Sequence, residues 1–383
     1  MSTQDPGGSG PADTRDREPG APAATTAAAT DEQADLDRRL RSEEADQEAA
    51  DRAALAEEEA RLPMWQRLVG ANTTLILAVL VALLGVFAVA RPGAFATIPN
   101  LRNVATDAST LLVVAVGMTF VIITSGIDLS VGSVLVFSGV IAAKMMEAIG
   151  GESLGVILLG LFACLVSGLA WGVVNGVVIS KGKIPPLIVT LGTLGMALGA
   201  AQLITGGVNL RTVPIGLTLS FGIGQLFGIP YIVLVAAAVA LIGAWLLFTT
   251  RFGRYTYAIG SNEDAARRAG INVDRHLIKV YAMSGFLAGL AGFLSLARFA
   301  TTNIGGETTL NLQAITAVVL GGTSLFGGIG TIVGTVIGVF IPAVLQNGFV
   351  ILGVQPFWQS VAVGAFLIAA VYVDQLRRRA RPR

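Results

Sequence analysis

The sequence predicts an all-α integral membrane protein, a polytopic helical bundle of about ten spans, some of them broken or re-entrant. Three observations point there. The chain is 53% hydrophobic and only 13% charged, with a mean hydropathy of +0.71, whereas soluble domains carry charge on about a quarter of their residues. Apolar runs long enough to cross the hydrocarbon core recur from Trp65 to Tyr372, separated by short polar breaks. Those runs, Leu75 to Ala90 and Ile229 to Phe248 among them, are apolar on every face, which excludes the alternating strands of a membrane barrel.

The chain opens with a different kind of sequence. Residues 1–63 hold 16 Asp and Glu against 7 Arg, a net −9, and leave 9 acidic and 19 basic residues, a net +10, to the rest. Rich in Ala, Gly and Pro and without an aromatic residue over 1–62, this segment cannot offset the entropy of ordering a fold, and it reads as a disordered acidic cytoplasmic tail. Its second half, Asp31 to Arg61, spaces Ala, Glu and Arg as a solvated helix would. It lacks the basic start and apolar core of a cleavable signal, so the first span is expected to stay in the mature protein.

The spans are predicted at 68–90, 104–125, 130–149, 153–179, 186–206, 229–249, 277–297, 311–322, 329–350 and 356–373. The eighth is too short to cross alone. Together they make a transmembrane domain over 64–376, followed by a basic cytoplasmic C-terminus, 377–383. Segments 104–149 and 311–350 are each interrupted by Gly-rich polar sequence, Thr124 to Ser130 in one and Gly321 to Gly330 in the other, the pattern of an internal repeat around a transport site. With spans alternating from a cytoplasmic N-terminus, 14 Lys and Arg fall in inside loops and tail against 5 outside, which predicts both termini cytoplasmic. Small residues at four-residue spacing, Gly168/Gly172/Gly176, Gly285/Gly289 and Gly330/Gly334/Gly338, predict close helix contacts.

Chemistry is mostly absent. Lys181-Gly182-Lys183 runs into Pro185-Pro186, so it cannot open the helix that a phosphate-binding loop needs. The Gly222 to Gly228 and Gly327 to Gly334 stretches read as membrane turns and packing rows. The lone Cys164 excludes an intrachain disulfide, and His276, beside Arg275 and Lys279, is expected on a solvated surface without metal partners. No cofactor, metal or nucleic-acid partner is expected. One ionisable residue stands out against the apolar sequence around it: Asp128 precedes a new apolar run, where it is a helix-capping group, a substrate or gating group, or an ion-coupling group.

The polar segment 250–275 is the most informative. Ser261 or Asn262 is placed to cap a short helix, with Glu263 and Asp264 in its first turn, Arg267 and Arg268 in its last, and Gly270 ending it. Its Ala265, Ala266 and Ala269 form a small face that fits a groove in another protein. The run Gly253-Arg254, then Gly260-Ser261-Asn262, Ala265-Ala266-Arg267 and Gly270-Ile271-Asn272 resembles the coupling segment of permeases in the ribose and xylose type family of ATP-binding-cassette importers. Gly117 to Ile122 with Thr124 to Ser133, and Ala317 to Leu325 with Gly327-Gly328, are similar to further signatures of that family, in order, over residues 70–376.

The resemblance implies a homodimer of permeases in membrane lipid, seated on ATP-binding-cassette ATPase subunits and fed by an extracytoplasmic sugar-binding protein. It assigns contact with the ATPase to Gly253, Arg254, Gly260, Asn262, Glu263, Ala265, Ala266, Arg267 and Gly270, and places ATP hydrolysis on the separate subunit, so this chain is not an enzyme. A sugar path would draw on Asp128 and the polar span residues Asn175, Thr190, Thr193, Gln313 and Thr316, which serve equally as helix-bonding groups. The expected cargo is a monosaccharide, with a nucleoside or a sugar-like signal as alternatives. A secondary transporter or channel for a small polar solute is disfavoured by the few buried charges, and a membrane enzyme by the lack of clustered Ser, His, Asp or Cys.

Overall fold

The computed structural model describes residues 71–305 and 309–355, with scattered positions between 357 and 372. The acidic segment 1–63 and the basic cluster 377–383 lie outside the described residues. In chain order the described helices are α1 (Ala71–Ala90), α2 (Pro92–Phe95), α3 (Ile98–Ile123), α4 (Val131–Ile149), α5 (Leu154–Gly182), α6 (Pro186–Thr205) and α7 (Ile215–Leu217). After a π-turn at Thr218–Gly222 and a hairpin of β1 (Gln225–Leu226) and β2 (Ile229–Pro230) come α8 (Tyr231–Thr249), α9 (Arg251–Ser261), α10 (Glu263–Arg268), α11 (Val273–Phe299), α12 (Leu310–Leu320) and α13 (Ile332–Ile351).

Local chemistry sets most ends. Thr97 caps α3, its Oγ1 accepting from the Asn100 amide, while Pro99 sits in the first turn where its missing N–H costs nothing. That cap extends α3 six residues ahead of the predicted start. Ser153 and Thr331 cap α5 and α13 in the same way. α5 ends where Lys183 turns left-handed ahead of Pro185 and Pro186, and α6 ends at the left-handed Gly206.

Seven described helices are long and apolar enough to cross a membrane: α3, α4, α5, α6, α8, α11 and α13. The chain is thus an almost entirely helical, multi-pass membrane protein. The predicted eighth span is α12, whose 11 residues reach about 16 Å at 1.5 Å per residue and do not cross. The predicted tenth, 356–373, falls on positions described only in part.

α3 and α11 sit at the centre and are buried for most of their length, whereas α5, α6 and α8 leave most of theirs uncovered. The most extensive interface joins α5 to α11. It exists because the predicted glycine rows face each other: a Cβ on Gly168 would run into the Gly285 carbonyl, one on Gly285 into the Gly168 carbonyl, and one on Gly289 into the Cys164 carbonyl. With no hydrophobic drive between helices in lipid, this backbone approach and its dispersion contacts hold the pair. The third row works likewise, with Gly334 and Gly338 of α13 lying against Gly321 and Ala317 at the end of α12.

Candidate functional site

Two helix breaks meet at one end of the bundle. α3 passes through 124–130 into α4, and α12 passes through 321–331 into α13. The Gly328 amide donates to the Ile123 carbonyl at 2.9 Å. Ser125 Oγ lies 2.9 Å from the Phe326 carbonyl, and deeper in the bundle the hydroxyls of Thr119 and Thr335 are 2.7 Å apart. Gly327 and Gly328 turn left-handed, at φ 83° and 74°, which glycine adopts freely. Ser125 does the same at φ 61°, a conformation that costs a residue with a Cβ about 1 to 3 kcal/mol and persists because its surroundings fix it.

The segment 250–275 is fastened to both breaks through α9. The sequence points to a single helix here, after Asn262; the structure adds a second, because Phe252, Thr256 and Ile259 recur at helical spacing and turn one face inward despite Gly253 and Gly260. Those two glycines are needed for fit: a Cβ would drive Gly253 into the Leu247 carbonyl and Gly260 into the Ile123 carbonyl. Tyr257 donates from its hydroxyl to the Gly330 carbonyl at 2.6 Å, and Ser125 Oγ lies 3.3 Å from the Gly260 carbonyl. Burial pushes the Tyr257 phenol up to about 12, so it stays a protonated donor. Arg254 is exposed and among the described residues reaches only the Thr249 carbonyl of the preceding helix, at 3.3 Å. His276 is not the solvated residue expected: α9 lies across the first turn of α11, and the ring is buried 4.6 Å from Phe252 with Nε2 2.9 Å from Thr256 Oγ1.

α10 has the predicted form. Asn262 Oδ1 accepts from the Ala265 amide at 2.8 Å, Glu263 and Asp264 occupy the first turn, Arg267 and Arg268 the last, and Gly270 follows at φ 83°. Arg267 bridges Asp274 at 2.6 Å and Glu263 at 2.8 Å, and hydrogen bonds to Asp274 and then Glu263 raise its pKa further, fixing the cation on the surface. The three-alanine face divides. Ala266 is buried against Ile259 and Val273, tying α10 to its own chain, while Ala265 and Ala269 are exposed.

Three of the six polar path residues converge on the first break. Asp128 is buried, its Oδ1 accepting from the Ser130 amide at 3.0 Å and hydroxyl at 2.6 Å, its Oδ2 from Ser284 of α11 at 2.9 Å. Asn175 of α5 donates to Ser130 Oγ at 2.8 Å, and Thr190 of α6 to the Ile127 carbonyl at 3.2 Å. Asn311 of α12, which the sequence reading passed over, donates to the Leu129 carbonyl at 3.0 Å. Four helices are thereby knotted to one loop. Thr193 and Thr316 instead bond carbonyls of their own helices, at Val189 and Leu312. Gln313 stands apart, lining a cavity at the other end of the bundle.

That cavity holds the ionisable pair that sequence reasoning missed. Asp107 of α3 and Arg298 in the last turn of α11 form an ion pair. The signal was present: Asp107 lies within the predicted span 104–125, and Arg298 directly follows the predicted span 277–297.

Comparison with known proteins places the chain. The profile of the family described as "Branched-chain amino acid transport system / permease component" matches residues 100–371. The ribose import permease protein of Escherichia coli strain K12 is 41% identical over 290 residues, covering 74% of this chain and 88% of that protein. The ribose import permease protein of Bacillus subtilis strain 168 is 39% identical over 278 residues, 72% and 84% of the two chains. The D-allose transport system permease protein of E. coli K12 is 36% identical over 305 residues, 80% and 91%. No solved structure matches the chain. The match over residues 100–371 shows that this chain is a member of the branched-chain amino acid transport system permease-component family.

Proposed function

We propose that the chain is the permease subunit of an ATP-driven importer that moves a monosaccharide, ribose-like or xylose-like, across the bacterial inner membrane from an extracytoplasmic binding protein. The observation that carries the reading is the attachment of α9 to both helix breaks, through Tyr257 to Gly330 and Ser125 to Gly260. A push on the exposed face of α10 reaches the break at 124–130 and the break at 321–331 together, which is what a subunit with no ATP site of its own requires of a partner ATPase. Relatives named for ribose and D-allose transport support the substrate class.

In this reading Gly253, Arg254, Gly260, Asn262, Glu263, Ala265, Ala266, Arg267 and Gly270 transmit the ATPase stroke, Ala266 and the glycines by fixing the segment and the exposed residues by contact. Asp128, Asn175 and Thr190 form the joint that moves, and Gln313 meets the sugar. About ten spans hold both termini in the cytoplasm, the two broken segments are halves of an internal repeat, and two copies of the chain form the working dimer in lipid, with domains at 1–63, 64–376 and 377–383. Purification of the tagged chain in mild detergent from its native membrane tests the reading: an ATP-binding-cassette subunit in near-stoichiometric amount is expected, and a chain that emerges alone where other such complexes stay intact overturns it.

A further inference from the structure

The cavity between α3, α11, α12 and α13 has a volume of about 180 Å³, on the order of six water volumes at about 30 Å³ each. It lies at the end of α11 opposite to α10, some 40 Å away along a 27-residue helix rising 1.5 Å per residue. Its wall combines the Asp107–Arg298 ion pair with Thr110, Phe299 and two amides, Gln313 and Gln346.

Charges on membrane-spanning helices are costly and persist where they face a polar cavity. Here the guanidinium of Arg298 also lies 5.2 Å from the centre of the Phe299 ring. Neither Gln313 nor Gln346 has a side-chain hydrogen bond among the described residues, so four amide hydrogens and two carbonyl oxygens are free to serve a ligand. The opposed charges cancel, which disfavours an ion of either sign. An apolar solute would leave the amides and the ion pair unmatched as it displaced their water. A neutral, compact molecule with hydroxyl groups on several sides fits: its hydroxyls donate to Asp107 and the amide oxygens and accept from Arg298 and the amide nitrogens, with the Phe299 ring beside them.

We propose that this cavity is a monosaccharide-contacting subsite of the permease itself, with Gln313 and Gln346 as its direct hydrogen-bonding groups and Asp107 and Arg298 as its polar wall. The proposal rests on the importer reading, and its test is separable from that reading. The full-length chain in lipid nanodiscs, without ATPase or binding protein, is examined by saturation-transfer NMR with D-ribose and then D-galactose as probes. Transfer to the sugar ring protons is expected, falling by about fivefold or more in Gln313→Ala with Gln346→Ala, the effect of losing one ordinary hydrogen bond or more. Neither truncation breaks a side-chain hydrogen bond among the described residues, and unchanged size-exclusion behaviour checks the fold. Absence of transfer to both sugars, or transfer that the double variant leaves intact, overturns the subsite. ATP-driven uptake by the reconstituted importer is measured in parallel: uptake without sugar contact sinks only the subsite, and variant-sensitive contact without uptake of any sugar supports the subsite while sinking the importer reading.

Discussion

The hydroxyl of Tyr257 donates a 2.6 Å hydrogen bond to the main-chain carbonyl of Gly330, tying a surface helix to a helix break 73 residues away. On the proposed reading this bond links movement of α9 to the break that leads into α13. Tyr257→Phe keeps the ring and removes the bond, at a stability cost of about 1 kcal/mol. In the reconstituted importer the expected result is sugar uptake reduced several-fold per ATP hydrolysed. Uptake and hydrolysis that fall in proportion would show that the bond is structural only.

Ser130 and Ser284 stabilise Asp128 inside the bundle, one on each carboxylate oxygen. Ser284→Ala leaves Oδ2 without its donor, and the cost of an unmatched buried polar group is about 1 to 3 kcal/mol. Ser130→Ala removes a partner of both Asp128 and Asn175 and should cost more. Thermal unfolding in detergent, followed by tryptophan fluorescence, should therefore rank wild type above Ser284→Ala and Ser284→Ala above Ser130→Ala. The reverse order of the two variants would mean that the α11 contact, not the loop contact, holds the carboxylate.

The α5–α11 contact has no room for side chains, whereas Gly192 on α6 has nothing within 4 Å of where a Cβ would stand. Gly285→Leu should prevent the two backbones from meeting and abolish accumulation of folded protein, the extreme of overpacking. Gly192→Ala should be neutral or slightly stabilising, by up to about 1 kcal/mol, since alanine is the better helix former. Membrane yield and monodispersity read both. Equal tolerance at the two sites would remove the packing role of the glycine rows.

Much of this fold was legible in the residues. The glycine rows announced close helix contacts, though not which helices meet, and Asn262, Glu263, Arg267 and Gly270 announced α10 with its ends. What escaped has physical reasons. α9 carries two glycines of poor helix propensity, required by tertiary fit rather than by the helix, so its sequence argues against the structure it adopts. The burial of His276 depends on that unforeseen helix. Gln313 and Asp128 look alike as polar groups in apolar runs, and only the packing of helices distant in sequence sends one to an open cavity and the other into a knot of hydrogen bonds. Asp107 and Arg298 are 191 residues apart, and nothing local marks them as a pair.

Asn262 holds the first turn of α10 through its bond to the Ala265 amide. Asn262→Ala should cost the segment about 1 kcal/mol and fray it. Hydrogen exchange at Ala265 to Arg268 should accelerate by about fivefold, while α11 beyond its first turns is unchanged. Unaltered exchange would show that burial of Ala266, not the cap, holds the helix.

The central claim, that the exposed face of α10 meets an ATPase, is best tested by crosslinking. Cys164 is the only native cysteine and is buried, so Ala265→Cys on the exposed face of α10 gives a single reactive thiol. Phe227→Cys, at the exposed tip of the β1–β2 hairpin, is the companion at the opposite membrane face. In native membranes a short thiol-reactive crosslinker is predicted to join Ala265→Cys, and not Phe227→Cys, to the ATP-binding-cassette subunit. A crosslink to that subunit from Phe227→Cys, with none from Ala265→Cys, would contradict both the coupling assignment and the orientation of the chain.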